Sequence, residues 1–272
     1  MTRIVRHFIL LLFLVAGGYP LVWMAFAAVR EERAVLERPF HLPEAVHTAN
    51  FTTVLQSGEF GRAYLNSLVV CGVSGVAALA FSAWAAFAFA RLRFRGKEIL
   101  FLLFLAGMMI PVHVTLIPLN RLAGPAGLNI KDTYWALIGP YVGFALPISI
   151  LILRGAFAEI AQDLADAARI DGCSAWGVFW HVAVPLSRPA LATVAIFNFL
   201  TMWNEFAFAL TLVNRGSLRT LPLALWQFQG EHGMYVSQTC AALCVAVLPV
   251  LLVYALAQKH IIRGLTAGAL KE

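Results

Sequence analysis

Polar side chains that stand within long apolar stretches are the first candidates for chemistry in this sequence. Glu205 is the only formally charged residue in the six apolar stretches described below. Asn198, Thr201 and Met202 precede it at spacings that place all four on one helical face, because residues i, i+3, i+4 and i+7 are surface neighbours. His113 is the one histidine in the middle of such a stretch. These groups could hydrogen-bond a polar solute or a neighbouring helix, and the sequence leaves both roles open for Glu205 and His113.

Metal-binding and nucleotide-binding patterns are absent from the sequence. The four cysteines have no C-x-x-C spacing, and no H-E-x-x-H motif occurs. We expect the cysteines to serve as small buried apolar residues. The sequence also lacks G-x-x-x-x-G-K-[ST], the loop that cradles nucleotide phosphates. The absence of this pattern leaves the chain with no nucleotide-binding loop of its own. We expect no enzyme activity, no metal and no cofactor in this chain.

The composition indicates a membrane protein. Of 272 residues, 61% are apolar and only 12% are charged, whereas soluble domains are about 45–50% apolar and about 25% charged. A soluble globule could not cover so many apolar side chains, and the same composition excludes disorder. The net charge of +6 comes largely from Lys and Arg in short loops. That placement is typical of membrane orientation signals and not of nucleic-acid binding.

Six apolar stretches are long enough to cross a bilayer, since a helical span takes about 20 apolar residues. They are 8–29, 64–90, 99–119, 133–153, 190–213 and 235–257. No alternation of apolar and polar residues competes with them. The sequence therefore predicts an all-α bundle of six transmembrane helices in a single domain over residues 1–272. The first stretch exceeds the roughly 7–15 apolar residues of a signal peptide, which favours an uncleaved anchor.

Lysine and arginine counts predict which loops lie in the cytoplasm. Four of the eight residues in 91–98 are basic, and short basic loops stay on the cytoplasmic side. With the N-terminus inside, the inner segments carry twelve Lys and Arg residues and the outer segments carry eight. We therefore expect both termini and the long loop 155–189 in the cytoplasm.

The first part of the loop 155–189 has the pattern of an amphipathic helix that ends at a glycine. From Glu159 onwards, one apolar face is formed by Ile160, Leu164, Ala167 and Ala168. Asp171-Gly172 then predicts the helix end, because glycine tolerates the left-handed conformation that follows a last helical turn.

The second part of this loop predicts a further short helix. Ser174 can cap its first turn, and Pro185 and Pro189 are expected to end it. The result is a helix–turn–helix elbow with an apolar side. This pattern alone allows an elbow that lies on the lipid surface as well as one that binds a partner.

The same loop resembles the EAA loop of the membrane-spanning subunits of ABC importers. The resemblance rests on Asp166-Ala-Ala-Arg-Ile-Asp-Gly172 and on the later string Val184-Pro-Leu-Ser-Arg-Pro189-Ala-Leu191. Two departures are Asp166, where the family usually has Glu, and Ile160-Ala161, where a proline often precedes the loop helix. By this resemblance the ATPase-coupling residues are Asp166, Ala167, Ala168, Asp171, Gly172, Trp176, Phe179 and Pro185.

Other motifs resemble one branch of these importers, the MalG-like permeases of carbohydrate transporters. They are Asn66-Ser-Leu68, the run from Ala85 to Arg91, Trp203-Asn-Glu-Phe206 and the tail from Arg263 to Lys271. The resemblance implies a type I importer permease fold in a bacterial or archaeal plasma membrane. It implies as partners a second permease subunit in a heterodimer, a dimer of cytoplasmic ATPases that bind the ATP, and an extracytoplasmic solute-binding protein. The implied substrate is a sugar.

Two other membrane functions compete with this one. A secondary transporter needs no ATPase but usually has intramembrane acids or broken helices with repeat symmetry. The third stretch does carry Pro111 and Pro118, and the fourth Pro140 and Pro147, but one acid and no repeat argue against this alternative.

Gly72-Val-Ser-Gly75 resembles the serine motif of rhomboid intramembrane proteases, which needs a histidine on another span to activate the hydroxyl. His113 is the only mid-span candidate. Neither alternative explains the loop 155–189, so a sugar permease is the favoured prediction.

Overall fold

The computed structural model describes residues 3–231 and 235–269, and the side chains of 3–226 and 235–256. Within these residues the chain forms helices and no strand, which confirms the all-α prediction. In chain order the helices are α1 (Arg3–Ala28), α2 (Glu32–Glu37), α3 (Ala49–Gln56), α4 (Glu59–Arg91), α5 (Lys97–Gly107), α6 (Val112–Ala123), α7 (Trp135–Ala158), α8 (Gln162–Ile170), α9 (Ala175–Val178), α10 (Val184–Leu186), α11 (Arg188–Trp203), α12 (Ala207–Leu212), α13 (Leu221–Glu231) and α14 (Val236–Ala269). A π-helical turn, Phe179–Ala183, joins α9 to α10.

Long apolar helices account for the membrane-spanning part of the described chain. By length and composition α1, α4, α7 and α14 can each cross a bilayer. Two bent pairs bring the number up to six: α5 with α6, at 97°, and residues 175–186 with α11, at 78°. The helices thus agree with a polytopic membrane bundle, but two of the expected spans are interrupted and are not single straight helices.

The third expected span, 99–119, is two helices. α5 and α6 are separated by residues 108–111, and Pro111 stands directly before α6 with φ −63° and ψ 132°. Proline has no N–H to donate and disfavours the helical conformation of the residue before it, so the backbone turns here.

The fifth expected span, 190–213, is also interrupted. α11 ends at Trp203 and α12 begins at Ala207, so Glu205 lies in the break and outside regular helix. The last span differs in the other direction, because α14 continues to Ala269 and does not end near residue 257.

The described chain divides into two compact units, one of which consists of residues 3–65 and 219–249. In this unit Glu32 accepts hydrogen bonds from the backbone N–H groups of Val236 (2.9 Å) and Ser237 (2.8 Å), and from the Ser237 hydroxyl. The first N–H groups of a helix have no partner inside it, so this carboxylate caps α14. Burial alone would raise the pKa of Glu32, but these hydrogen bonds lower it.

The other unit consists of residues 66–218 and 250–269. Its core lies where α4, α5 and α7 meet the loop 155–189. The large buried side chains there are Phe87, Phe89, Phe101, Ile150, Leu153, Phe157, Phe179 and Val194. At the edge of this core Arg154 lies over the Phe101 ring, 3.8 Å from its centroid, and pairs with Glu98 at 2.8 Å, which ties α7 to α5.

Candidate functional site

A cavity of about 430 Å³ lies in the second unit between α6, α7, α11 and the break before α12. It is lined by all five residues that the sequence singled out as pathway candidates: His113, Asn198, Thr201, Met202 and Glu205. Its other lining residues include Tyr141, Phe144, Phe197, Asn204 and Phe208. We name this space the inter-helix cavity. Its volume lies within the roughly 300–1,000 Å³ of ordinary small-molecule sites, and aromatic walls with a few polar groups are typical of them.

Glu205 holds the break between α11 and α12. Its Oε1 accepts a hydrogen bond from the backbone N–H of Phe208 (2.8 Å), and its Oε2 accepts one from that of Ala209 (3.3 Å). The hydroxyl of Tyr141 on α7 also donates to Oε2, at 2.9 Å. The carboxylate therefore replaces the carbonyl partners that α12 lost at the break, and it joins the break to α7. Glu205 both lines the inter-helix cavity and serves as a structural link.

Asn198 is also occupied by a hydrogen bond inside the protein. It is 1% exposed and pairs with Ser149 on α7, with its amide nitrogen 3.0 Å from the Ser149 hydroxyl oxygen. Such a pair is expected where polar groups lie in an apolar bundle, because an unpaired group there is costly. Asn198 thus fixes α11 against α7 at the wall of the cavity.

The polar groups of the cavity that can form further hydrogen bonds lie on α6, on the last turn of α11 and directly after it. The Thr201 hydroxyl donates to the carbonyl of Phe197 (2.9 Å), which leaves its oxygen able to accept. The Asn204 amide donates to the carbonyl of Leu200 (2.8 Å), which leaves its own oxygen able to accept. His113 is exposed, whereas Met202 is 4% exposed and contributes an apolar wall.

Sequence reasoning missed three groups of this site: Tyr141, Ser149 and Asn204. Tyr141 and Ser149 stand within an apolar stretch, and each bonds a residue that lies on α11 or directly after it. A search for every hydroxyl and amide in the spans would have found them, because polar groups in a bilayer need partners.

The elbow of the loop 155–189 contains the turn that the sequence predicts. Gly172 has φ +88°, in the left-handed region after α8. Ser174 caps α9, since its hydroxyl accepts a hydrogen bond from the backbone N–H of Gly177 at 3.3 Å. Both local predictions are confirmed.

Two details of the elbow differ from the sequence expectation. α8 begins at Gln162, not at Glu159, and the residue that it buries is Ala165, while Leu164 and Ala167 are exposed. The predicted apolar stripe is therefore divided between an inner and an outer face. Pro185 does not end the second helix, because the π-helical turn before it widens the backbone and α10 follows. A wider turn gives the proline ring room beside the preceding carbonyls.

Aromatic side chains hold the elbow against the ends of α4 and α7. Phe179 is buried between Phe87 and Phe157, at ring-centroid distances of 5.2 Å and 6.3 Å. Trp176 stacks on Phe179 at 5.4 Å and contacts Trp84 at 5.8 Å. Aromatic pairs at such distances add to the stability that burial gives.

The eight residues that resemblance assigns to coupling lie at different depths. Asp166, Ala167, Asp171, Gly172 and Trp176 are exposed on the elbow. Ala168 and Pro185 are half-buried, and Phe179 is buried as the anchor described above. The exposed five form the surface that a partner can touch, and the other three support it. Among the described residues no cluster of side chains could hold a metal ion.

Comparison with known proteins identifies the family of this fold. The family model "Binding-protein-dependent transport system inner membrane component" matches residues 78–267. The chain is 42% identical to the "Putative ABC transporter permease protein ORF2" of Caldicellulosiruptor sp., over 93% of this chain and 91% of that protein. It is 34% identical to the "Trehalose/maltose transport system permease protein MalG" of Thermococcus litoralis, over 93% and 91% respectively. A chain of the "bacterial ABC transporter involved in the import of the acidic polysaccharide alginate" has the same fold, with a TM-score of 0.83 at 23% identity over 95% of this chain and 98% of that chain.

Proposed function

Because the chain belongs to the family of binding-protein-dependent transport system inner membrane components, we propose that its inter-helix cavity forms part of the transport pathway and that its elbow contacts the ATPase. The protein is a membrane-spanning permease subunit of an ABC importer for sugars. This function replaces the two alternatives, a secondary transporter and a rhomboid-like protease. The protease is also opposed by Ser74, which is fully buried and whose hydroxyl has no hydrogen-bond partner among the described residues.

The inter-helix cavity is, in this proposal, part of the sugar pathway. The observation that carries it is the meeting of all five sequence candidates on one space of about 430 Å³. Aromatic faces next to hydroxyl and amide groups suit a sugar, which presents apolar C–H faces and a ring of hydroxyls. Thr201 and Asn204 offer acceptors to those hydroxyls, and His113 offers a ring nitrogen.

The elbow is the proposed contact with the ATPase. Its exposed residues surround the Gly172 turn, and its buried aromatic anchor would carry a push on that turn into α4 and α7. Closure of the ATPase dimer around ATP would then move packed helices as rigid bodies. The chain contains no nucleotide loop of its own, so the ATP would be bound by these partner subunits.

The assembly that we propose contains a second permease subunit, so that two similar chains enclose one pathway. A heterodimer fits the MalG-like resemblance, and an extracytoplasmic solute-binding protein would deliver the sugar. The membrane would be the plasma membrane of a bacterium or archaeon, and the basic loop 91–98 supports a cytoplasmic location for both termini.

Transport measurements on reconstituted complexes test the pathway. The sugar is first chosen from a panel of di- and oligosaccharides by thermal shifts of the cognate binding protein. Uptake is then compared for Thr201→Val and Thr193→Val. Both hydroxyls bond a carbonyl four residues earlier on α11, but only Thr201 lines the cavity.

We expect Thr201→Val to raise the sugar concentration for half-maximal uptake about fivefold, the usual effect of one lost hydrogen bond. Thr193→Val should leave it unchanged. Equal effects of the two variants would show that the inter-helix cavity is not part of the pathway. Absence of ATP-dependent uptake by the wild-type complex would overturn the proposed function.

A further inference from the structure

Arg91, the last residue of α4, reaches across to the joint between α7 and α8. Its Nε donates to the carbonyl of Phe157 at 2.9 Å, and one terminal nitrogen donates to the carbonyl of Ile160. The other terminal nitrogen donates to Oε1 of Gln162 at 3.0 Å. One guanidinium therefore bonds the end of α7, the joint and the start of α8.

The joint that Arg91 contacts is a short non-helical segment, 159–161. Glu159 closes α7, and Ala161 has φ −57° and ψ 135° before α8 begins. The last carbonyl groups of a helix have no partner inside it, and a cation at that end is stabilising. Two of the Arg91 hydrogen bonds go to carbonyl groups at or next to this joint, so the guanidinium can help to hold the angle at which α8 leaves α7.

A chain of hydrogen bonds continues from Arg91 to the exposed surface of the elbow. The Gln162 side-chain amide donates to Oδ1 of Asp166 at 3.1 Å, and the Arg169 guanidinium donates to the same oxygen at 2.8 Å. Asp166 is a coupling residue of the proposed function. The end of α4 is thus connected to this residue through two side chains.

We propose that Arg91 is a positioning residue that fixes the joint 159–161 and so transmits elbow movement to α4. This inference rests on the proposed function, because it assumes that the elbow receives the force of the ATPase. Arginine suits the role, since its planar fork bonds several acceptors in a fixed geometry. A lysine ammonium keeps the charge but is a single point and cannot span the same three acceptors.

The test compares Arg91→Ala and Arg91→Lys with Arg93→Ala in the complete reconstituted transporter. Arg93 is an exposed arginine of the same basic loop and controls for the loss of a positive charge. We expect both Arg91 variants to assemble with the ATPase and to retain basal ATP hydrolysis. Their sugar-stimulated hydrolysis should fall about tenfold, as expected for lost hydrogen bonds to a charged group. Arg93→Ala should behave as the wild type.

A second variant separates positioning from general stability. Ala161→Pro restricts φ to about −65°, close to the value that Ala161 already has. Added to Arg91→Ala, it should restore much of the stimulated hydrolysis, because proline holds the joint without the guanidinium.

The possible outcomes each decide the inference. Arg91→Ala and Arg91→Lys that both match Arg93→Ala would overturn it. Lost stimulation that Ala161→Pro leaves unimproved would also overturn it, because the guanidinium would then act elsewhere than at the joint. The proposed function has its own test in Gly172→Val. If that variant kept sugar-stimulated hydrolysis, the elbow would not be the ATPase contact, and this part of the proposed function would be wrong.

Discussion

Glu205 shows how one carboxylate can serve a helix break and a cavity wall together. Both of its oxygens accept hydrogen bonds. In Glu205→Gln one of these oxygens becomes an NH₂ group, which cannot accept a hydrogen bond from the donors that face it. We expect this variant to lower the stability of the purified protein by about 1–3 kcal/mol, the cost of leaving buried partners unpaired. Thermal unfolding in detergent measures this, and Tyr141→Phe, which removes only one donor, should lose less.

Sugar uptake by the same variants separates the two roles of Glu205. If Glu205→Gln unfolds as the wild type does while uptake changes in affinity or selectivity, the carboxylate is a pathway group and the structural link is unimportant. If Glu205→Gln loses stability while the affinity of uptake for the sugar is unchanged, the role of Glu205 is the structural link.

Gly172 is a residue of the elbow at which backbone strain alone can be tested. Its φ is +88° and a Cβ there would meet no atom within 4 Å, so any effect of a side chain comes from the conformation. Gly172→Val should cost roughly 1–2 kcal/mol at the turn and misdirect the elbow while the bundle still inserts. We expect the ATPase to dissociate or to lose sugar-stimulated turnover.

Gly155→Ala is the matched control for this prediction. Gly155 lies within α7, and a Cβ there also meets no atom within 4 Å. Copurification of the ATPase and its stimulated hydrolysis are measured for both variants. Normal transport by Gly172→Val would show that the elbow is not the docking element.

At the scale of elements, Asp132 joins the segment before α7 to the segment after α12. Its Oδ1 accepts hydrogen bonds from the backbone N–H groups of Asn214 (2.5 Å) and Arg215 (2.9 Å), and its own N–H donates to the carbonyl of Leu212 (3.2 Å). Burial would raise the pKa of Asp132, but the hydrogen bonds from Arg215 and Asn214 lower it below its usual 3.8. The connection thus favours the charged form.

The lowered pKa of Asp132 predicts an acid dependence of stability. The unfolded chain binds the proton at higher pH than the folded one, so the stabilisation is fully present above about pH 4 and is lost as pH falls through the folded value. Asp132→Asn should lower the melting temperature at pH 7 by several degrees, at about 2–4 °C per kcal/mol. The further decrease of the melting temperature below pH 4 should be smaller in this variant than in the wild type. Asp163→Asn, at an exposed position, is the control. An unchanged acid profile in Asp132→Asn would contradict this account.

The C-terminal end of α14 is a second element with a predicted role. The helix backbone continues to Ala269, while its side chains beyond 256 and residues 270–272 lie outside the described part. By the family resemblance this tail reaches toward the ATPase. Deleting Thr266–Glu272 should weaken sugar-stimulated hydrolysis while membrane insertion persists. Unchanged coupling in the purified truncated complex would favour a frayed terminus.

For the whole molecule, the orientation in the membrane is the prediction to test. Single cysteines at Lys97 and Lys271 should label only from the cytoplasm, and one at Glu44 only from outside, because short basic loops are retained on the cytoplasmic side and the loop 91–98 has four basic residues. Lys271 lies outside the described residues. The background must lack the native cysteines, since all four are free thiols. Labelling of position 97 from outside intact cells would reverse the proposed topology.

Features that depend on local chemistry could be predicted from the residues alone. Apolar stretches of about 20 residues indicate spans because the bilayer requires internally bonded helices. Gly172 and Ser174 were placed correctly because a helix end and a helix cap are set by the residues next to them. The basic residues of the loop 91–98 likewise carry the orientation prediction in their own composition.

Contacts between distant residues could not be predicted in this way and depend on how the helices pack. The pairs Tyr141–Glu205 and Ser149–Asn198 join residues 64 and 49 positions apart, and Arg91 bonds residues 66 to 71 positions away. Hydropathy cannot foresee such pairs, because in a membrane protein the lipid-facing and core-facing surfaces are both apolar. The breaks at residues 108–111 and 204–206 were missed because the length of an apolar stretch does not say whether its helix is continuous. Prolines do not decide it either, since α7 continues through Pro140 and Pro147. Where a helix stops inside the bundle depends on whether a neighbour, such as the Glu205 carboxylate, can satisfy the backbone groups that the break exposes.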